Sequence, residues 1–287
     1  MRKMKISIVG AGHVGATTAH LIALKGLADI VLLDIDEGIA KGKALDMLQA
    51  SPIEKFNIEI KGTSNYEDTK NSDIVVITSG IARKLGMSRD ELLTINTKIV
   101  REVAEKSAVY SPNAVMIVVT NPLDAMTYIA SKASKLPKHK VVGMGSILDS
   151  ARFNTFIAEE LNISPAEVDA VVIGSHGNLM VPLPTHSKVN NIKITELLAR
   201  EKINELAERT KKGGEEIINL LKTGSAFYAP ASSIALMAES ILKDKKILLP
   251  CCAYCDKEYS VGGYFIGVPV ILGKNGVEKI VELSLSK

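Results

Sequence analysis

Lys5-Ile6-Ser7-Ile8-Val9-Gly10-Ala11-Gly12-His13-Val14-Gly15 is the stretch on which the fold turns. The apolar run Ile6 to Val9 reads as a buried strand that stops at a glycine, and the glycines then fall as G-x-G-x-x-G. Ala16, Ala19, Leu21, Ile22 and Leu24 follow at helical spacing. Strand, glycine turn and helix, in that order, give three glycines separate tasks. Gly10 permits the tight turn, Gly12 lets backbone amides approach a pyrophosphate, and Gly15 lets the helix pack close to the strand. Ala11, His13 and Val14 complete the turn, and the helix amino end presents free N–H groups and a partial positive charge. A second strand, Ile30 to Leu33, ends at Asp34, nineteen positions beyond Gly15. A carboxylate there accepts hydrogen bonds from ribose hydroxyls and repels a 2′-phosphate. The stretch therefore reads as a site for NAD rather than NADP.

Strand and helix signals alternate onward from this unit. A helix is expected over Ile39 to Leu48, a strand near Ile58 to Ile60, and a doubly buried strand over Asp73 to Thr78. A long helix, Asp90 to Tyr110, precedes a strand at Ala114 to Val119. A helix at Leu123 to Ser134 and a strand at Val141 to Gly143 complete six strands with helical crossovers. That pattern is α/β: a Rossmann-type, doubly wound parallel sheet with strand order 3-2-1-4-5-6 and ligand at the strands' carboxyl ends. From about Asp149 the pattern changes to α+β. A helix runs from Asp149 to Leu161, strands cluster between Ala170 and Val189, and helices cover Thr195 to Leu221, with room for a kink near Arg200, and Ala226 to Lys243. Antiparallel strands follow at Ile247 to Cys252 and Gly263 to Leu272, with a last strand near Val281 to Leu285. The expected division is an NAD-binding domain, 1–145, and a substrate or catalytic domain, 146–287.

Composition narrows the function classes. Hydrophobic residues at 46% and charged residues at 23% describe an ordinary globular chain. A formal net charge of +3 gives no general attraction to nucleic acid or a membrane surface. No stretch approaches the roughly 20 apolar residues of a membrane span. The chain reads as cytoplasmic. Cys251, Cys252 and Cys255 contain a formal C-x-x-C, but no second pair or nearby histidine completes a metal site. They read as buried structural thiols, and no metal is expected.

Four polar segments sit at strand ends or helix starts. Thr78-Ser79-Gly80-Ile81-Ala82-Arg83-Lys84-Leu85-Gly86-Met87-Ser88-Arg89 leaves a central strand as a cationic loop, or as a merely solvated one. Thr120-Asn121-Pro122-Leu123-Asp124 follows another strand, where Asn121 could be no more than a helix cap. In Leu148-Asp149-Ser150-Ala151-Arg152-Phe153, Asp149 and Arg152 share a helix face, which a local ion pair would also explain. Gly174-Ser175-His176-Gly177-Asn178 sets a histidine between flexible residues at a strand end.

Together these motifs resemble the L-lactate/L-malate dehydrogenase family across nearly the whole chain, within it the lactate-dehydrogenase-like malate enzymes. The resemblance implies reversible oxidation of (S)-malate to oxaloacetate with NAD, and a homodimer or homotetramer. It makes His176 the proton donor and acceptor, with Asp149 as its partner. Arg152 would hold the C1 carboxylate, Arg89 would polarise the carbonyl from a closing loop, and Asn121 would touch substrate and cofactor. Thr78, Gly80, Asn96, Val119, Thr120 and Asn121 would line the NAD site. Arg83, where lactate enzymes carry glutamine, would pair with a second carboxylate, and Ala226 leaves room for the longer substrate. Imidazole, with an ordinary pKa of about 6.5, serves both directions near neutrality. Three departures stand out. Asn178 replaces the usual aspartate after His-Gly, Leu85 replaces a common proline, and the family's long carboxyl-terminal helix does not follow before Lys287. A lactate or broader 2-hydroxy-acid dehydrogenase and a non-catalytic NAD(H)-binding protein are the competing readings.

Overall fold

The computed structural model describes residues 3–81 and 88–285. Its first half runs β1 (Lys5–Val9), α1 (His13–Leu24), β2 (Asp29–Leu33), α2 (Glu37–Glu54), β3 (Ile60–Thr63), β4 (Ile74–Ile77), α3 (Arg89–Tyr110), β5 (Val115–Val118), α4 (Leu123–Ser134) and β6 (Val141–Gly143). These strands are all parallel and lie in the order β3-β2-β1-β4-β5-β6, as the sequence implies. Every residue of β4 and β5 is buried, because crossover helices cover both faces of the sheet. Local chemistry sets the helix ends. The Asp36 side chain accepts from the Ile39 N–H to start α2 earlier than its apolar spacing suggests. Ser88 and Glu91 form a reciprocal capping box at the start of α3.

The second half comprises α5 (Gly145–Leu161), β7 (Val168–Asp169), β8 (Val172–Gly174), β9 (Met180–Pro182), β10 (Lys188–Val189), β11 (Ile192–Lys193), α6 (Ile194–Leu197), α7 (Arg200–Leu221), α8 (Tyr228–Leu242), β12 (Ile247–Cys255), β13 (Tyr264–Gly273) and β14 (Gly276–Ile280). Three of its strands, β11-β10-β7, form a small sheet of their own, and the others extend the first sheet. β12 lies antiparallel against β6, with Cys252 opposite Gly143, and the sheet continues through β13 and β8 to β9. Among the described residues it has eleven strands, β14 pairing with β13. Gly143 makes the junction possible. A Cβ there would lie 2.6 Å from Thr127 Oγ1 and 2.8 Å from the Cys252 Cβ.

Several expected boundaries shift. α5 begins at Gly145, so Asp149 stands a full turn inside it rather than at its amino end. The segment expected to be helical from Thr195 is two helices, α6 and α7, with the break directly before Arg200, near the expected kink. The last strand is Gly276–Ile280, and 281–285 are not in a strand. Phe153 and Ile157 of α5 are fully buried against β8 and α7. Truncating a residue such as Phe153 costs about 3–5 kcal/mol, so α5 is a rigid platform for what its first two turns carry. Among the described residues no helix is long and apolar enough to cross a membrane. The three cysteines are free and buried, and burial pushes the Cys255 thiol up to about 11.

Candidate active site

The glycine turn joins β1 to α1. Gly10 has φ +111°, a left-handed value, and its carbonyl so closely faces Gly15 that a Cβ on Gly15 would sit 1.9 Å from it. At Gly12 an added Cβ would meet nothing within 4 Å. The turn thus packs tightly toward the sheet and stays open outward. Gly12 caps α1 without any side-chain hydrogen bond, so the first N–H groups of the helix remain available to an anion. Asp34, at the end of β2, folds toward the same turn, its Oδ2 accepting from the Ala11 N–H at 2.6 Å. The Ala11 carbonyl in turn accepts from Lys43 Nζ at 2.6 Å. The His13 ring stacks on Phe227, centroids 5.1 Å apart, tying the turn to the segment before α8. A dinucleotide fits these features: an anion-ready helix end, an open backbone and a carboxylate at ribose distance along the chain.

Beyond the turn, at the carboxyl ends of β4, β5 and β6, opens a cavity of about 1140 Å³. Val14, Thr78, Gly80, Val119, Thr120 and Asn121 line it on one side, Arg152, His176, Asn178 and Ala226 on the other. Thr78 Oγ1 donates to the Gly10 carbonyl at 2.9 Å, holding the glycine turn to the end of β4. Asn96 is placed behind the wall, fully buried. Its Nδ2 donates to the Asn121 carbonyl at 2.7 Å and its Oδ1 accepts from the Ile81 N–H at 2.9 Å. It braces two lining segments and does not itself border the cavity.

At the cavity's inner end, one carboxylate meets two side chains, an imidazole and a guanidinium. Asp149 is fully buried, with Oδ2 2.8 Å from His176 Nδ1 and Oδ1 3.4 Å from an Arg152 guanidinium nitrogen. The Nδ1 contact leaves Nε2 as the His176 nitrogen that a substrate oxygen can meet. Burial lowers the pKa of Arg152, and Asp149 opposes that shift. The guanidinium has donors to spare, for Arg152 Nε is buried with no hydrogen-bond partner among the described residues. A buried cation with unused donors beside a cavity suits a carboxylate ligand.

Sequence reading passed over Asp124, in the first turn of α4. It accepts a hydrogen bond from the hydroxyl of Ser175, the residue before His176. Burial raises its pKa, while Ser175, the Cys252 thiol and His176 pull the other way. Oδ1 of Asp124 is buried with no partner in full hydrogen-bonding geometry among the described residues. An aspartate two residues after Asn-Pro was the available signal, but nothing in the sequence links it to Ser175. Arg83 and the Arg89 side chain, assigned to the substrate by resemblance, lie outside the described residues.

Residues 4–143 match the family model for the lactate/malate dehydrogenase NAD-binding domain, and residues 146–287 match that for the family's alpha/beta C-terminal domain. The chain belongs to the lactate/malate dehydrogenase family. It is 56% identical over 286 residues to a malate dehydrogenase of Heliobacterium modesticaldum, covering 100% of this chain and 93% of the relative. Among solved structures, the apo malate dehydrogenase from Picrophilus torridus has a TM-score of 0.97 at 49% identity, over 100% of this chain and 91% of that one. A Cryptosporidium parvum lactate dehydrogenase, complexed with lactic acid and NAD, has a TM-score of 0.96 at 42% identity, over 100% of this chain and 92% of that one. The family therefore accounts for the cofactor end of the site. The residues that would select among 2-hydroxy acids are a separate matter, since relatives of both kinds share the fold.

Proposed function

We propose that this chain is an NAD-dependent malate dehydrogenase, interconverting (S)-malate and oxaloacetate. The observation that carries this reading is the buried Asp149 carboxylate shared between His176 and Arg152 at the end of a cavity that begins beside the glycine turn. NAD, held by the Gly10–Gly15 turn, Asp34 and the Thr78, Val119 to Asn121 wall, supplies or takes the hydride when bound. Arg152 binds the C1 carboxylate and orients the 2-oxo carbon. His176 Nε2 gives a proton to the developing alkoxide during reduction and takes it from the hydroxyl during oxidation. Asp149, bonded to Nδ1, fixes the ring so that Nε2 faces the substrate oxygen. Arg89, the first residue of α3, would place positive charge at the carbonyl oxygen, worth about 2.7–4 kcal/mol for one such donor.

Malate is favoured over lactate by the 56% identity to a malate dehydrogenase and by Arg83 and Ala226. A second guanidinium answers the distal carboxylate of oxaloacetate, while pyruvate would leave it without a counter-charge in a water-poor site. Ala226, lining the cavity, leaves space where a larger residue would shorten it. NADH oxidation with oxaloacetate and pyruvate side by side tests the assignment, with Arg83→Gln beside the parent. The parent should prefer oxaloacetate, and the variant should lose oxaloacetate kcat/KM by about 30-fold or more, the ~2 kcal/mol lower bound for an abandoned buried charge. A substrate ratio unchanged by the substitution would refute Arg83 as the reader.

The same proposal includes the two-domain division 1–145 and 146–287 and self-association through α2. In α2, Ile39, Leu45 and Ile53 are exposed at 47%, 57% and 78%. Ala44 and Met47 of the same helix are buried in the core. Free, buried thiols suit a reducing cytoplasm.

A further inference from the structure

α7 carries two consecutive glycines, Gly213 and Gly214, in the middle of a 22-residue helix. Glycine is among the poorest helix formers, since it has the most backbone freedom to lose. Neither residue has the left-handed φ that would call for glycine, as Gly10, Gly174 and Gly177 do. The reason lies in what crosses the helix at that point. A Cβ on Gly213 would lie 3.1 Å from Arg152 Cδ and 3.5 Å from Nε, and one on Gly214 would lie 3.4 Å from a terminal guanidinium nitrogen. The Arg152 side chain therefore lies directly on the backbone of α7, its aliphatic stem over Gly213 and its charged head over Gly214. Gly213 is buried, and Gly214 borders the cavity.

We infer that Gly213 and Gly214 are positioning residues for substrate binding: they form the seat that sets how far the Arg152 guanidinium projects into the cavity. This rests on the proposal that Arg152 holds the substrate carboxylate. A methyl group on Gly213 pushes the stem away by a few tenths of an ångström and changes the distance between guanidinium and Asp149, so the carboxylate of a bound 2-oxo acid no longer meets both the arginine and His176. At Gly214 the added contact is an ordinary van der Waals one, and the displacement is smaller. The two positions thus predict a graded effect in a set order.

The test uses Gly213→Ala, Gly214→Ala and Arg152→Gln in the full chain, with oxaloacetate KM, kcat, NADH affinity by fluorescence and thermal midpoint measured for each. Gly213→Ala should raise KM about tenfold, with a smaller change in kcat, unaltered NADH affinity and a thermal midpoint at or above the parent's, because alanine strengthens the helix. Gly214→Ala should raise KM less. A merely structural role predicts a lower midpoint and reduced active fraction with KM unmoved. If Gly213→Ala destabilises the fold, Gly214→Leu, at a position that is only half-buried, carries the test, again through KM. A large KM increase in Arg152→Gln with none in either glycine variant overturns the seat. An Arg152→Gln variant with parental KM overturns instead the role of Arg152 in the proposed function.

Discussion

Replacing Asp149 with asparagine removes one negative charge from the point where His176 and Arg152 converge, and changes the side chain's volume little. Oδ2 lies 2.8 Å from His176 Nδ1 in a fully buried position. With an effective dielectric of about 20, a unit charge pair at that distance is worth roughly 6 kcal/mol, an upper bound because both charges are spread over several atoms and lose hydration. A charge-assisted hydrogen bond measured against water contributes about 1.5–3 kcal/mol. At about 1.4 kcal/mol per factor of ten, that range is a loss of roughly 10- to 150-fold in kcat/KM. The loss appears in the steps that need His176 charged, so NADH affinity should not change. Both directions must then fall by the same factor at one pH, because the equilibrium between malate and oxaloacetate belongs to the reactants. The assay is initial-rate NADH oxidation with oxaloacetate and NAD reduction with malate at one pH, with NADH affinity from fluorescence. A kcat/KM within threefold of the parent would refute the reasoning, as would a loss accounted for by weaker NADH binding.

Other outcomes follow from the same geometry. Asp34→Ser should narrow the preference for NADH over NADPH by about tenfold, since a carboxylate and a 2′-phosphate about 4 Å apart repel by at least ~1 kcal/mol per charge pair; an unchanged ratio of the two kcat/KM values refutes it. Burial raises the Asp124 pKa above the ordinary aspartate value of about 3.9, so the folded state holds this proton more tightly than the unfolded chain does. Its stabilising contribution is complete below that ordinary value and is lost as pH rises through the raised one. Asp124→Asn, neutral throughout, should therefore gain in thermal midpoint relative to the parent between pH 4 and pH 7.5, and a pH-independent difference contradicts this. Light scattering at micromolar concentration should give at least a dimer. Leu45→Lys, placed on the exposed face of α2, should shift it toward monomer without lowering the thermal midpoint of the isolated subunit, and a parent that is already monomeric sinks the interface.

Much of this chain's organisation is written locally. The strand–glycine–helix unit at Lys5–Leu24, the acid at Asp34 and the alternation through Gly143 determine a doubly wound sheet, because each needs only neighbours a few residues away. The order of the six parallel strands follows from short right-handed crossovers. Asp149 and Arg152 are legible as a pair because they sit three apart on one helix. Tertiary structure decided what those residues meet. His176, 27 positions after Asp149, reaches its carboxylate only because β8 and α5 pack side by side. Ser175 reaches Asp124 across 51 positions, and Arg152 rests on Gly213 from a different helix. The continuation of the sheet through Cys252 and Gly143 depends on a missing side chain whose partner is more than 100 residues away in the chain. Periodicity reports which face of an element is buried. It carries no record of which distant backbone lies against that face, since that is set by close packing among all the elements at once.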